Sequence, residues 1–286
     1  MNRCYDLHTH THLSDGSLSP KELVNAAAVA GVQVLALTDH DTTAGLEEAA
    51  VLAAEQDIEF VPGVEISATW SGRTVHIVGL QIDPANETLQ RGLDRLVAIR
   101  HERAAVMSQK LVKKGFDSME QELRNHVHGP IVSRTHFARA LVSAGHARDI
   151  PQAFKKYLSG GKAGYAQTEW ASLEQAVEWI RVAGGHAVIA HPGRYKLGSG
   201  RLRALFAEFA EIGGEAVEVI SGSQHPGETE KISRFAKEFQ LMASVGSDYH
   251  GPEQRWLSLG RLPKLPVECD PIWRRWLDSS GDPGTS

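Results

Sequence analysis

The sequence predicts an α/β fold whose sheet closes, or nearly closes, into a barrel. Three observations carry this. Short apolar, β-branched runs alternate with helical stretches from the N-terminus onward, the pattern of a largely parallel sheet. Seven or eight such units share one chain, which favours closure over an open sheet. The rhythm stops between about Asn86 and Gly161, where only helical periodicity is present.

Strands are expected at Tyr5–Leu7, Gln33–Thr38, Glu59–Val61, Glu65–Ala68, Thr74–Leu80, His186–Ala190, Ala216–Ile220 and Leu241–Val245. Between the first two, Ser19-Pro20-Lys21-Glu22 combines an N-cap serine, a first-turn proline and a capping-box glutamate. The helix it starts runs through Leu23, Ala27 and Ala30 and stops at Gly31. Further helices are expected at Thr43–Gln56, Leu173–Ala183, Arg201–Ile212 and Glu228–Phe239. The strandless middle carries helical spacing in Leu93, Leu96 and Val97, in Val106, Met107 and Leu111, and in Phe137, Leu141 and Val142. The expected organisation is a discontinuous barrel of residues 1–85 and 162–277, a helical insertion of 86–161 and a disordered polar tail of 278–286.

Composition narrows the function. The 286 residues are 42% hydrophobic and 23% charged, ordinary for a folded globular protein. A net charge of −5 disfavours wrapping duplex nucleic acid. Cys4 and Cys269 are too few for a disulfide framework or a thiolate zinc cluster. No apolar run approaches the roughly 18 residues of a membrane span, and MNRCYDLHTH lacks a signal-peptide core, so a cytoplasmic protein is expected. Charge is nevertheless uneven. Arg100–Lys162 holds 12 Lys and Arg against 5 Asp and Glu, +7 locally, leaving −12 elsewhere. An insertion that brings positive charge to an anionic ligand would look like this. Histidine is over-used: 14, against 13 Tyr and Phe together.

The placement of those histidines is informative. In DLHTHTHLSDG, His8 and His10 leave one face at a strand's C-terminal end, and Asp15 follows in a loop. His12 has the same parity but lies past the strand. VLALTDHDT puts His40 just beyond an apolar run, and VPGVEIS buries Glu65 within a strand, where an unpaired carboxylate is expensive. RTVHIVGL does the same with His76, AVIAHPGR sets His191 after a strand, and ASVGSDYHG supplies Asp248 and His250. Singly each has an ordinary alternative: His76 as a core histidine, Asp39 or Asp41 as caps for the next helix. Jointly, nine His, Asp and Glu side chains occupy strand ends or interiors. Parallel barrels bring strand C-termini to one face, so these residues are expected to form a multinuclear metal site.

The series HTH…SDG, TDHD, an in-strand Glu, an in-strand His, AHP and SDYH, spanning Asp6 to Gly251, resembles the polymerase and histidinol phosphatase (PHP) superfamily of metal-dependent phosphoesterases. The resemblance implies a distorted seven-stranded β/α barrel holding three divalent ions at its rim. His8, His10, Glu65 and Asp248 would hold the first; Glu65 would bridge to a second, completed by His76 and His191; Asp15, His40 and His250 would hold the third. Asp15, His40, His191 and His250 are the expected catalytic positions. Two bridged ions would lower the pKa of a shared water, and the third would clamp phosphoryl and leaving-group oxygens. Imidazole and carboxylate ligands suit Mn²⁺, with Zn²⁺ or Fe²⁺ as alternatives.

The insertion resembles a subgroup acting on nucleoside 3′,5′-bisphosphates and on short or 5′-monophosphorylated RNA, so the expected partners are a small nucleotide and short single-stranded RNA, not duplex DNA or membrane. Arg103 and Arg134 are candidates to grip a non-reacting phosphate, with His136 assisting, and Arg194 is placed to touch the scissile one. Tyr165, Trp170 and Tyr195 are equivalent candidates for stacking on a base. The competing readings are a phosphatase resembling histidinol-phosphate phosphatase and a non-catalytic metal-binding PHP module.

Overall fold

Seven strands, β1 (Tyr5–Asp6), β2 (Val34–Leu37), β3 (Glu59–Trp70), β4 (Arg73–Leu80), β6 (His186–Ile189), β7 (Ala216–Ser221) and β8 (Met242–Gly246), follow one another around a single sheet. The short β5 (Ala171–Ser172) lies off this path against β3. The computed structural model describes residues 3–222, 224–254 and 258–277, so the expected disordered tail lies outside the described residues. The ring closes between its first and last strands: Leu7 N–H donates to Val245 O at 3.1 Å, and Asp248 N–H to His8 O at 2.8 Å. The sheet is a nearly closed seven-stranded barrel.

Two expectations are corrected. Glu59–Val61 and Glu65–Ala68 are one strand, because Pro62 pairs with Leu37 and needs only to accept, which it does from Ile82 N–H at 3.2 Å. The sheet is also less parallel than expected, since β4 runs antiparallel to both β3 and β6. That reversal has a use. It brings the first half of β4, with His76, to the end of the barrel where the other strands finish.

Alternation along the strands fixes what faces inward. Leu7, Val34, Ala36, Val61, Val78, Leu80, Val188, Ala190 and Ala216 fill the interior, and Ile272 joins them. Tyr5 stacks on Trp273 at 4.1 Å, so the C-terminal segment plugs the barrel at the end where β1 begins. Continuing inward with a period of two, Val61 leads to Glu65, and Ala216 to Glu218. Outside, α1 (Pro20–Val29), α2 (Leu46–Glu55), α7 (Leu173–Val182), α8 (Ser199–Glu211) and α9 (Pro226–Glu238) cover the sheet with a large apolar layer. The Ser19 capping box opens α1 as expected, and Gly31 follows its end at φ +79°.

The strandless middle forms α3 (Glu87–Val112), α4 (Met119–Arg124), α5 (Arg134–Ser143) and α6 (Ile150–Ala153), with a π-turn over Phe154–Leu158. The start of α3 packs on the barrel through Leu89, Leu93 and Leu96. Gly92 permits this, because a Cβ there would sit 2.5 Å from the Trp179 ring. Beyond Arg100 the same helix joins a separate apolar cluster with Phe137 and Leu141 of α5. One stripe (Leu89, Leu93, Leu96, Arg100, Ala104, Met107, Leu111) therefore serves two cores. Among the described residues, no helix is long and apolar enough to cross a membrane.

Candidate active site

All nine expected ligands converge at the open end of the barrel. Three groups of side chains bring their ligand atoms within 4.8 Å of one another: His8, His10, Glu65 and Asp248; His10, Asp15, His40 and His250; and His40, Glu65 and His76. Glu65 stands at the centre. Its Oε2 lies 2.7 Å from His40 Nδ1 and 3.3 Å from both His8 Nε2 and His10 Nε2, while its Oε1 lies 2.9 Å from His76 Nδ1 and His191 Nε2. His191 thus meets Glu65 as expected, and His10 and His40 each stand in two groups, which spacing did not indicate.

The groups fit divalent cations on their own chemistry. His10 Nδ1 and His191 Nδ1 are buried without a hydrogen-bond partner, a costly state unless something is bound. Burial works to neutralise Glu65, but His40, His76 and His8 outweigh it and hold the carboxyl well below its ordinary range. Asp248 is held low in the same way by Arg194, His250 and His8, against its burial. Burial, with His250 alongside, drives His10 down to about 3. Burial works to lower His40 and His250 too, but Glu65 and Asp15 outweigh it at His40, and Asp15 and Asp248 at His250, so both are raised. The cage is a mixed set of ionised carboxylates and imidazoles in which a bound cation would take the place of protons on nitrogen.

A ring of supporting groups aims these ligands. Glu218, which the sequence analysis did not single out, accepts from His8 Nδ1 at 2.5 Å and from His191 N–H at 2.6 Å. Its signal, an acid inside the apolar run AVEVIS, was the same as that of Glu65. Gly246 lets β8 approach, since a Cβ there would lie 2.3 Å from His8 Cβ. Asp39 and Asp41 do not cap α2, which begins after Gly45 without a side-chain cap. Asp39 instead binds Thr11 N–H and the hydroxyls of Thr11 and Ser14, and Asp41 receives Ser67 N–H at 2.7 Å and Arg100 Nε at 2.6 Å. Asp41, His191 and Asp248 all hold positive φ, at 49°, 28° and 54°, the backbone strain that functional sites tolerate.

Beside these side chains lies a cavity of about 240 Å³. Asp15, His40, His76, His191, Asp248 and His250 form one side, and Arg100, Arg103, Arg134, Phe154 and Trp170 face them. Arg100 is committed to Asp41 and Ser67. Arg103 and Arg134 are not: among the described residues neither has an ion pair, and Arg103 Nε is buried without a partner. Burial, Arg134 and Arg100 bring the Arg103 guanidinium down to about 9, a cation lacking its counter-ion. Arg194 reaches the same cavity and pairs with Asp248.

Other expected contacts fall elsewhere. His136 does not line the cavity. Its Nδ1 accepts from Ser133 N–H at 3.1 Å, closing the capping box of α5, so its place is at the helix start. Tyr195 is a packing residue whose hydroxyl donates to Ala190 O at 2.7 Å. Trp170 does line the cavity, but the guanidinium groups of Arg100 and Arg103 sit 5.1 and 5.2 Å from its ring. Tyr165 offers its backbone carbonyl to Lys110 Nζ at 2.7 Å. His12 stands apart, near His128.

This arrangement has known counterparts. The PHP domain family matches residues 6–190. The chain belongs to the PHP family. It is 46% identical over 270 residues to a 3′,5′-nucleoside bisphosphate phosphatase of Chromobacterium violaceum, covering 94% of this chain and 95% of that one. It is 40% identical over 274 residues to the 5′-3′ exoribonuclease Rnm of Escherichia coli, covering 95% and 93%. A solved structure described as a C. violaceum amidohydrolase with bound sulfate and no metal superposes with a TM-score of 0.92 at 45% identity, covering 96% of this chain and 95% of that chain.

Proposed function

We propose that this PHP protein is a metal-dependent phosphoesterase that removes the 3′-phosphate of nucleoside 3′,5′-bisphosphates and trims short, 5′-monophosphorylated RNA. One observation carries the reading: two half-buried arginines, Arg103 and Arg134, which have no ion pair among the described residues, share one cavity with a cage of candidate metal-ligand side chains. A substrate with one phosphate at each wall satisfies both. The names of the C. violaceum and E. coli relatives, and the sulfate in the structure described as a C. violaceum amidohydrolase, agree with such a ligand.

His8, His10, Glu65 and Asp248, then Glu65 with His76 and His191, then Asp15, His40 and His250 would hold three ions, with Mn²⁺ favoured over Zn²⁺ or Fe²⁺ by the mixed nitrogen and oxygen donors. Bound there, the ions supply a water of lowered pKa and neutralise charge on the phosphoryl oxygens. The chain's own groups do the rest. Arg103 and Arg134 take the 5′-phosphate with guanidinium forks that match its oxygens, and the helices of residues 86–161 act as the cap that holds them. Arg194, anchored by Asp248, meets the scissile phosphate. Glu218 keeps His8 and His191 oriented. In the reaction the oxygen of water adds to phosphorus, the P–O3′ bond breaks and a proton passes to O3′. A cytoplasmic setting is part of the proposal.

The test is phosphate release with Mn²⁺ supplied, across nucleoside mono- and bisphosphates, 5′-phosphorylated oligoribonucleotides and histidinol phosphate. Preference for the bisphosphate is expected. Turnover of histidinol phosphate alone would overturn the reading in favour of a small-molecule phosphatase, and no release from any of them would leave a metal-binding module.

A further inference from the structure

A second cavity, of about 470 Å³, opens on the other side of His191 and Arg194, which line both. Its volume falls in the roughly 300–1,000 Å³ range that encloses a small organic group. Ser221, at the end of β7, stands in its wall. The residue is 7% exposed, and its Oγ is buried with no hydrogen-bond partner. A buried hydroxyl in that state marks a place for a ligand's polar atom. Gln224 beside it is already engaged, accepting from Ser221 N–H and donating to Val219 O, both at 3.0 Å, so this wall is held in place. Lys196 and His225 complete a lining whose one carboxylate is Glu228. Among the described residues Lys196 has no ion pair.

A nucleoside bisphosphate has no use for this space. Its reacting phosphate is terminal, and its nucleoside and second phosphate occupy the cap side. In an RNA strand, one oxygen of the same phosphate carries the next nucleotide, which must leave the cage on the side that the first nucleotide does not fill. We infer that the second cavity receives the nucleotide that follows the scissile phosphate of a 5′-phosphorylated RNA strand, with Ser221, Lys196 and His225 as its contacts. The inference rests on the function proposed above and extends it. The bond broken is the same P–O3′ bond: water adds its oxygen to phosphorus, and O3′ of the departing nucleotide takes the proton. The phosphate stays on the shortened strand, which therefore begins with a 5′-phosphate and suits Arg103 and Arg134 again.

The experiment compares kcat/KM for adenosine 3′,5′-bisphosphate and for a 5′-phosphorylated triribonucleotide in the wild-type protein, in Lys196→Gln/His225→Ala and in Ser221→Ala. The double variant should lose about tenfold or more on the trinucleotide, the order expected for a charge-assisted phosphate contact, and stay within about twofold on the bisphosphate. Ser221→Ala should lose a few-fold, again on RNA alone. The bisphosphate rate doubles as a check on folding. Equal losses on both substrates, or unchanged trinucleotide cleavage, would overturn the inference. So would a wild-type protein that hydrolyses the bisphosphate and leaves RNA intact. A wild-type protein that does not hydrolyse the bisphosphate would instead remove the reading on which the inference rests.

Discussion

The two walls of the active-site cavity solve opposite electrostatic problems. On the barrel side, each buried carboxylate is surrounded by imidazoles or by Arg194, so charge is matched within a few ångströms. On the helical side, Arg103 and Arg134 are half-buried cations that have no ion pair among the described residues. Under the proposed function the barrel wall holds cations and the helical wall takes an anion. A substrate that reacts at one wall and is recognised at the other allows chemistry and selectivity to be altered separately.

That division can be broken experimentally, most severely at the barrel wall. Chelation should abolish phosphate release, and added Mn²⁺ should restore it. Asp248→Asn and His191→Ala should each lower turnover by about 10³-fold or more with an unchanged circular dichroism spectrum. Near-normal rates in both variants would remove them from the ligand set. At the helical wall, Arg134→Ala should raise KM for a nucleoside bisphosphate about 10- to 100-fold, the worth of a hydrogen bond to a charged group. Its kcat should hold, and a nucleoside 3′-monophosphate should be handled as before. A fall in kcat instead would erase the distinction between the walls. Glu218→Gln should weaken Mn²⁺ activation roughly tenfold by loosening His8 and His191, read from a metal titration of activity.

A further effect concerns stability and leaves both walls untouched. Burial, aided by the nearby cations Arg139 and Arg100, lowers His136 to about 4 in the folded protein. The folded chain keeps this imidazole neutral, whereas the unfolded chain protonates it near pH 6.5. Stability is therefore lost as pH falls from about 6.5 towards 4 and levels off below, a change of a few kcal/mol by linkage. His136→Asn retains an acceptor for Ser133 N–H without titrating, so its urea midpoint should fall less over that interval. Parallel curves for the two proteins would show that His136 is not the sensor.

Legibility in the sequence follows the same division. The barrel wall could be read because a His or Glu inside a β-branched run carries a high burial cost, and strand parity shows where it points. Glu218 obeyed that rule and was still missed. Arg100 was also within reach, since it sits on the apolar stripe of α3 between Leu96 and Ala104. The position of His136 was not legible, because the same residue at the first turn of a helix can face a ligand or cap its own backbone. Nor could spacing reveal that β4 runs backwards, since reversal depends on the tight Trp70–Arg73 turn and leaves the alternation of RTVHIVGL unchanged. The equivalence of Tyr165, Trp170 and Tyr195 ended only when tertiary contacts gave each ring a different neighbour.

The length of α3 sets a limit on how the enzyme can breathe. Its 26 residues form a rod of roughly 39 Å, bolted to the barrel where Gly92 meets Trp179 and again where Arg100 grips Asp41. A jaw that swung open would have to tear out both bolts. Arg103, one turn beyond the second bolt, is thereby held at a set span from the cage, and a substrate has to match that span.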